Sequence, residues 1–151
     1  MRVGIGNDHA GVDYKKELKK YLESKGYEVI DYGSVDPKAE DNYPEFGMIV
    51  AEALMAGDLD KGVVVCGTGV GISIAANKVP GIRCGVVSEP AVARLIVEHN
   101  DANMIALGER FTSIETAKAC LDEFFAAEHL GGRHARRVDM IKDIEKKYLK
   151  D

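Results

Sequence analysis

The chain has 151 residues, of which 46% are hydrophobic and 30% charged, and its formal net charge is −5. This length predicts a single domain over residues 1–151, and the negative charge argues against nucleic-acid binding through bulk electrostatics. No apolar run has the length of a membrane span, and the first residues lack a signal-peptide pattern. Three widely spaced cysteines, Cys66, Cys84 and Cys120, are typical of reduced thiols, so we expect a cytoplasmic globular protein.

Short β-branched runs alternate with helical stripes along the whole chain. The runs predict strands at residues 3–6, 28–32, 62–66, 82–87 and 104–107. Apolar residues spaced by three and four predict a helix between each pair of consecutive strands, and one more that ends near Gly131 and Gly132. Since no hairpin turn joins two strands, the order predicts a Rossmann-like α/β domain with a doubly wound, five-stranded parallel sheet.

The first predicted helix combines an apolar stripe with a dense set of lysines. The stripe consists of Tyr14, Leu18, Tyr21 and Leu22, and the lysines are Lys15, Lys16, Lys19 and Lys20. Because lysine is almost never buried without a partner, we expect these four side chains to form a solvated face.

The most informative segment follows the third strand. Gly67, Gly69 and Gly71 alternate directly after Cys66, and a helix of small residues comes next. Such a turn can aim several backbone N–H groups at one point, which would hold a phosphate or the oxyanion of a reacting carbonyl. Cys66 is the last side chain that the strand delivers to this point, and a thiol there has reason to be partly thiolate. The segment therefore predicts chemistry as well as anion binding.

Other polar residues stand next to the predicted strands. Doubly wound sheets bind ligands outside the carboxyl ends of their strands, where Asp8 and His9 follow the first strand and Arg110 follows the fifth. Asp8 could equally be only a helix cap. His99 and Asn100 end the helix before the fifth strand, so the topology places them at the opposite edge of the sheet unless that helix is short and tilted.

The final predicted helix has two unusual features. It opens on a basic cluster of Arg133, His134, Arg136 and Arg137 and carries an apolar stripe of Val138, Ile141, Ile144 and Tyr148. The basic cluster opposes the helix dipole, so it is either a solvated helix start or a site that an anion joins. Because the predicted sheet is already complete, the apolar stripe predicts a C-terminal dimerisation helix.

The glycine turn also permits other functions. Its spacing is similar to a dinucleotide fingerprint, but that motif needs a glycine where Ile72 stands and follows a first strand instead of a third. A phosphate- or nucleotide-binding module without catalytic activity is therefore one alternative. A hydrolase with Cys66 as nucleophile and His99 as base is another.

Five segments resemble, in order, the ribose-5-phosphate isomerase B family of ribose and galactose sugar-phosphate isomerases. They are residues 7–11, 66–78, 81–83, 99–103 and 131–137. The resemblance implies an aldose–ketose isomerase of the pentose phosphate pathway that interconverts ribose 5-phosphate and ribulose 5-phosphate through a cis-enediolate. It implies no metal and no organic cofactor. The family includes galactose-6-phosphate isomerase subunits, so another phosphorylated aldose, such as allose 6-phosphate or galactose 6-phosphate, is an alternative substrate.

The resemblance also implies roles for individual residues. Cys66 would move the proton between C2 and C1, His99 would open the sugar ring, and Thr68 and Asp8 would complete the catalytic set. The substrate-binding residues implied are Asp8, His9, Tyr43, Gly67, Thr68, Gly69, Val70, Gly71, Asn100, Arg110, Arg133 and Arg137.

The family forms dimers or tetramers in which two subunits share each site and the C-terminal arginines come from the neighbour. The resemblance therefore implies a homodimer, which would explain both the last helix and how His99 reaches the site. Asn7, Asn42 and Ala91 depart from the family pattern. The small side chain at position 91 could admit a longer sugar.

Overall fold

A computed structural model describes residues 1–149, which form a parallel sheet between layers of helices. The strands are β1 (Arg2–Asn7), β2 (Glu28–Asp31), β3 (Lys61–Cys66), β4 (Cys84–Val86) and β5 (Met104–Gly108). The helices are α1 (Val12–Ser24), α2 (Tyr43–Met55), α3 (Val70–Asn77), α4 (Pro90–Glu98), α5 (Ile114–Ala126) and α6 (Arg133–Tyr148). The predicted Rossmann-like, five-stranded parallel sheet is confirmed. Within the described residues, the structure contains no helix with the length and apolar character to cross a membrane.

The strand order β2-β1-β3-β5-β4 determines where a ligand can approach the sheet. The chain leaves β1 toward β2 on one side and then returns to place β3 on the other side, so the topological switch point lies between β1 and β3. Asn7 pairs with Val65 in this register, which brings the carboxyl ends of the two strands side by side. Open α/β sheets bind their ligands at such a point.

Alternate side chains of the central strands supply two separate cores. Val63 and Val65 of β3 point into a core with α1, α4 and α5, whereas Val64 and Cys66 point into a core with α2 and α3. All four are almost fully buried, and a buried valine contributes about 1.5–3 kcal/mol relative to an exposed one. The rigid centre of the sheet thus holds Cys66 on the face that α2 and α3 cover.

Two predicted boundaries differ from the structure. β4 covers only three residues, because Ile82 closes a turn on Val79 and Arg83 donates its backbone N–H to the Asn103 side chain at 2.8 Å. α5 ends at Ala126 and not near Gly131, because the backbone N–H of Leu130 donates to the carbonyl of Glu98 at 3.0 Å. The segment after α5 is therefore tied to the end of α4.

The expected solvated face of α1 is wrong for one of its four lysines. Lys15 is only 2% exposed, and its ammonium group contacts the Asp31 carboxylate at 2.8 Å and the Ser34 carbonyl at 3.0 Å. Lys15 shares a face with Leu18 and Leu22, which lie three and seven residues further along the helix. Its partners are the last residue of β2 and a residue of the loop that follows, so the helix is anchored to the end of that strand.

The last helix, α6, has few contacts with the rest of its own chain. Val138 is its one buried residue, and the Glu145 carboxylate accepts the Gly81 backbone N–H at 3.0 Å. Ile141, Ile144 and Tyr148 are between 46% and 72% exposed. The helix lies near residues that precede β4 and β5, at the amino-terminal edge of the sheet, and presents an apolar stripe to solvent.

Candidate active site

The glycine turn after β3 has the geometry of an anion-binding nest. Gly69 adopts a left-handed conformation, with φ of 80°, and caps α3 without a side chain. A side chain there would lie 2.9 Å from the backbone of Leu107, so glycine is required by both conformation and space. The first-turn amides of an α-helix have no partner within the helix, and those of Gly71 and Ile72 are directed to this end of α3.

The Cys66 sulfur lies at the base of this nest. The side chain is 4% exposed, and the Gly69 N–H donates to its Sγ at 3.2 Å. The sulfur thus faces both a backbone N–H donor and the N-terminus of α3. Thr68 is next to it, and its Oγ1 accepts the Val70 N–H at 3.2 Å. The thiol is thus held in place by the turn that would hold the anion.

Asp8 and His9 stand beside Cys66, at the end of the neighbouring strand. The Asp8 side chain accepts the Ala10 N–H at 3.1 Å, so it does cap the short 3₁₀ turn His9–Gly11. Burial raises the pKa of Asp8, and the nearby His9 opposes that shift. The cap uses one carboxylate oxygen, which leaves the other for a ligand.

Tyr43 and Arg110 border the nest from two other elements. The Tyr43 ring, at the start of α2, occupies the space that a side chain on Gly71 would fill. The Arg110 guanidinium crosses above Gly67, within 3.3 Å of where a side chain on that residue would begin. The Arg110 backbone N–H donates to the Gly67 carbonyl at 2.9 Å, which fixes the segment after β5 against the nest.

These residues form the Cys66 cluster, at the carboxyl edge of the sheet. Its members are Asp8, His9, Tyr43, Cys66, Gly67, Thr68, Gly69, Val70, Gly71 and Arg110. They come from the segments that follow β1, β3 and β5, from the last residue of β3, and from the first turns of α2 and α3. The structure therefore brings together ten of the fourteen residues that the sequence predicts for the site.

The remaining four predicted residues form a second group, the His99 cluster, which consists of His99, Asn100, Arg133 and Arg137. With residues of α6 they line a hollow of about 300 Å³. The His99 ring stacks on the ring of His134, with centroids 4.2 Å apart and planes inclined by 6°. Burial lowers the pKa of His134, and the charges of His99, Arg133 and Arg137 lower it further. The hollow is thus a concentrated positive site.

The two clusters lie at opposite edges of the sheet. His99 ends α4 and precedes β5, whereas Cys66 ends β3, which pairs in parallel with β5. The six residues of β3 span roughly 17 Å, at about 3.3 Å per residue, so the clusters of one chain are at least that far apart. The expectation that topology separates His99 from the carboxyl edge is confirmed.

Sequence reasoning missed Asp41, which contacts the Cys66 cluster through His9. One oxygen of its carboxylate accepts both the His9 backbone N–H at 2.8 Å and the imidazole Nδ1 at 2.9 Å. The hydrogen bond to Asp41 raises the pKa of His9, and burial opposes that shift. Asp41 lies in an irregular loop 32 residues from His9, and no spacing rule connects the two.

Comparisons with known proteins agree on one family. A family model described as ribose/galactose isomerase matches residues 3–141. The chain is 44% identical to ribose-5-phosphate isomerase B of Escherichia coli strain K12 over 146 residues, 97% of each chain. It is 52% identical to the solved Clostridium thermocellum ribose-5-phosphate isomerase B, with a TM-score of 0.96 over 99% of this chain and 100% of that chain.

A second solved structure carries a ligand. Ribose-5-phosphate isomerase B from Mycoplasma genitalium, with bound ribulose 5-phosphate, is 37% identical to this chain. The two superpose with a TM-score of 0.91 over 97% of each chain. The similarity extends over the strand ends that carry the Cys66 cluster and the helices that carry the His99 cluster.

Proposed function

The chain belongs to the ribose/galactose isomerase family, and from this premise we propose that it interconverts ribose 5-phosphate and ribulose 5-phosphate. The observation that carries the proposal is the Gly69 N–H bonded to the Cys66 sulfur at 3.2 Å, at the mouth of the glycine nest. An aldose–ketose isomerase needs one base beside a site for an oxyanion, and this turn supplies both. We expect the reaction to take place in the cytoplasm, where free thiols such as Cys66 stay reduced.

Cys66 is the proposed base of the proton transfer. As thiolate it removes the proton from C2 of the open-chain aldose, and the electrons of the C–H bond form a cis-enediolate. The thiol then returns the proton to C1 while the hydroxyl proton on O2 passes to O1, which gives the ketose. A base matched to this step must be a thiolate for part of the time, and the amide of Gly69 is placed to stabilise that charge.

The glycine nest is the proposed oxyanion site. Charge develops on the carbonyl oxygen of the sugar when C2 loses its proton. The N–H groups of Gly69 and Val70 already donate to the Cys66 sulfur and the Thr68 hydroxyl, so those of Gly67, Thr68 and Gly71 are the proposed donors to this oxygen. One preorganised donor of this kind is worth about 3 kcal/mol of barrier, so two or three supply a large share of the rate. Thr68, Asp8 and His9 then contact the sugar hydroxyls.

The His99 cluster completes the proposed site only through a second copy of the chain. His99 would protonate the ring oxygen and open the furanose, and Arg133 and Arg137 would bind the phosphate. Since these groups lie roughly 17 Å or more from Cys66 of their own chain, they would have to serve a neighbour's Cys66 cluster. A two-fold homodimer supplies both halves twice, and the exposed stripe of α6 is its proposed contact surface.

A different sugar phosphate is a second candidate substrate, because the matching family model covers galactose isomerases too. Asn42 caps α2 and Ala91 lies in the first turn of α4, and both are exposed. We infer from the small side chain at position 91 that a longer sugar can also be admitted. A longer aldose, such as allose 6-phosphate or galactose 6-phosphate, is therefore included in the test.

The test is incubation of the purified chain with ribose 5-phosphate, allose 6-phosphate or galactose 6-phosphate in D₂O. We expect ribulose 5-phosphate as the main product, with deuterium from the solvent entering the product or the recovered substrate. Cys66→Ala should abolish this exchange yet bind ribose 5-phosphate within about tenfold of the wild type. Cys84→Ala, which removes a thiol outside both clusters, is the matched control. Deuterium incorporation by Cys66→Ala would contradict the base assignment, and no ketose from any substrate would refute the isomerase.

A further inference from the structure

Asp41 is joined to His9 by two hydrogen bonds on one carboxylate oxygen. The backbone N–H of His9 donates to Oδ1 at 2.8 Å, and Nδ1 of the imidazole lies 2.9 Å from the same atom. A carboxylate oxygen can only accept, so Nδ1 must carry the proton. The ring is then fixed in one tautomer and one orientation, and Nε2 is the nitrogen left for a ligand.

The loop that carries Asp41 is itself firmly held. The Ser34 carbonyl accepts hydrogen bonds from the Lys15 ammonium at 3.0 Å and from the Asn7 side chain at 3.1 Å. The Ser34 backbone N–H donates to the Asn7 carbonyl at 3.0 Å, and Ser34 is 7% exposed. These contacts fix the start of the loop to β1 and α1. The loop that carries Asp41 toward His9 is therefore anchored at its start.

We propose that Asp41 is a positioning residue for the reaction, which holds the His9 ring with Nε2 free to donate a hydrogen bond to an oxygen of the sugar phosphate. This proposal rests on the proposed function for its substrate. Asp41 itself lies outside the five segments that resemble the family, and it acts through His9, which lies in the first of them. The pKa of the His9 ring is raised by the two carboxylates that face it, Asp8 and Asp41, so its protonation depends on this contact.

The charge of the pair follows from its geometry. The hydrogen bond with Asp41 raises the pKa of His9, and the negative charges of Asp8 and Asp41 add to it against partial burial. Burial raises the pKa of Asp41, but hydrogen bonds from Ser34 and His9 outweigh it, so the pKa is lowered. The pair thus favours an imidazolium beside a carboxylate, and an imidazolium Nε2 donates to an anion where a neutral one would accept.

The experiment is Asp41→Asn in the full chain, with Asp36→Asn as the matched control. Asp36 is exposed in the same loop and caps its own turn through the Lys38 N–H at 2.9 Å, away from His9. In Asp41→Asn we expect the His9 titration midpoint, followed by NMR of labelled histidine, to move to lower pH. We expect KM for ribose 5-phosphate to rise about tenfold with a smaller change in kcat. The reason is that loss of one hydrogen bond to a charged group weakens binding by about that factor. Asp36→Asn should leave both unchanged.

A double mutant separates positioning from a general loss of structure. If Asp41 acts through His9, adding Asp41→Asn to His9→Gln changes KM no further. An unmoved His9 titration, or an equal rise in KM with and without His9, would overturn the proposal. Asp41→Ser, which can still accept the His9 N–H, is the second variant should Asp41→Asn unfold. The NMR titration needs no substrate, so it decides the Asp41 contact even if the wild type converts no sugar phosphate.

Discussion

The imidazole rings of His99 and His134 lie face to face, 4.2 Å apart between centroids and inclined by 6°. Burial and the adjacent positive charges lower the pKa of His134, so the stacked partner of His99 favours the neutral state. The α6 helix therefore supplies more than arginines to this cluster, because it also sets the plane of the His99 ring.

Ring opening can be separated from proton transfer by replacing His99. We expect His99→Asn to lower kcat/KM for cyclic ribose 5-phosphate far more than for a short aldose phosphate that cannot close a ring. The reason is that only the cyclic substrate needs a proton on its ring oxygen. Steady-state kinetics on both substrates would check this. Equal losses on the two would mean that His99 supports the fold or the binding of phosphate.

The separation of the two clusters predicts complementation between inactive variants. Arg137→Ala and Cys66→Ala, each nearly inactive, should regain activity when mixed under conditions that exchange subunits. About half of the dimers would be mixed, and each would hold one intact and one doubly damaged site, so recovery should approach about a quarter of wild-type activity. Native mass spectrometry can confirm the exchange. Exchange without recovery would show that Arg137 serves the pocket of its own chain.

Breaking the buried ion pair of α1 should destabilise the fold. Lys15→Met keeps most of the side-chain volume but leaves Asp31 without its cation, and the Ser34 carbonyl with one of its two donors. Because Asp31 is still 28% exposed, we expect a loss of about 2–3 kcal/mol in the free energy of unfolding, below the cost of a fully buried pair. Urea unfolding measures it, with the exposed Lys16→Met as control. A loss no larger than that of the control would contradict the pairing.

The stability contributed by Asp8 should depend on pH. Burial raises its folded-state pKa above the ordinary value of 3.8, so the folded protein binds this proton more tightly than the unfolded chain. The stability that the protonated Asp8 carboxyl contributes is complete below about pH 3.8. It is lost as the pH rises through the folded-state pKa. Asp8→Asn should therefore be as stable as the wild type or more so at pH 7.5.

Denaturant unfolding of both proteins at pH 7.5 and pH 4.5 would check that sign. Any advantage of Asp8→Asn should shrink toward the lower pH, where the wild-type carboxyl begins to bind its proton. Asp36→Asn, which replaces an exposed capping carboxylate, should show no such trend. A growing advantage at low pH would contradict the raised pKa.

Local patterns were sufficient to predict the sheet and the nest. The β-branched run before Cys66 and the glycines after it report backbone geometry directly, so the strand, turn and helix follow from nearest neighbours in the chain. The placement of His99 at the far edge also followed, because connectivity alone determines which end of a parallel sheet a helix reaches.

Pairings between distant residues could not be predicted in this way. Lys15 shares the helical face of Leu18 and Leu22, yet its burial depends on Asp31, which is 16 residues away. Asp41 lies 32 residues from His9 in a loop without periodicity. The early end of α5 likewise depends on the Glu98 carbonyl, which accepts the Leu130 N–H from 32 positions further along the chain. Each contact exists only after the sheet has brought the segments together.

Gly69 tolerates little substitution, for two reasons that act together. Any other residue would have to adopt the left-handed φ of 80° and also fit its side chain against Leu107, Val86 and Gly108. Gly26 has a similar φ of 93° but open space around it, so asparagine could replace it at modest cost. A substitution at Gly69 would instead push the turn away from β5 and withdraw the N–H from the Cys66 sulfur. A change at this one backbone unit would therefore disturb the thiol and the anion-binding turn together.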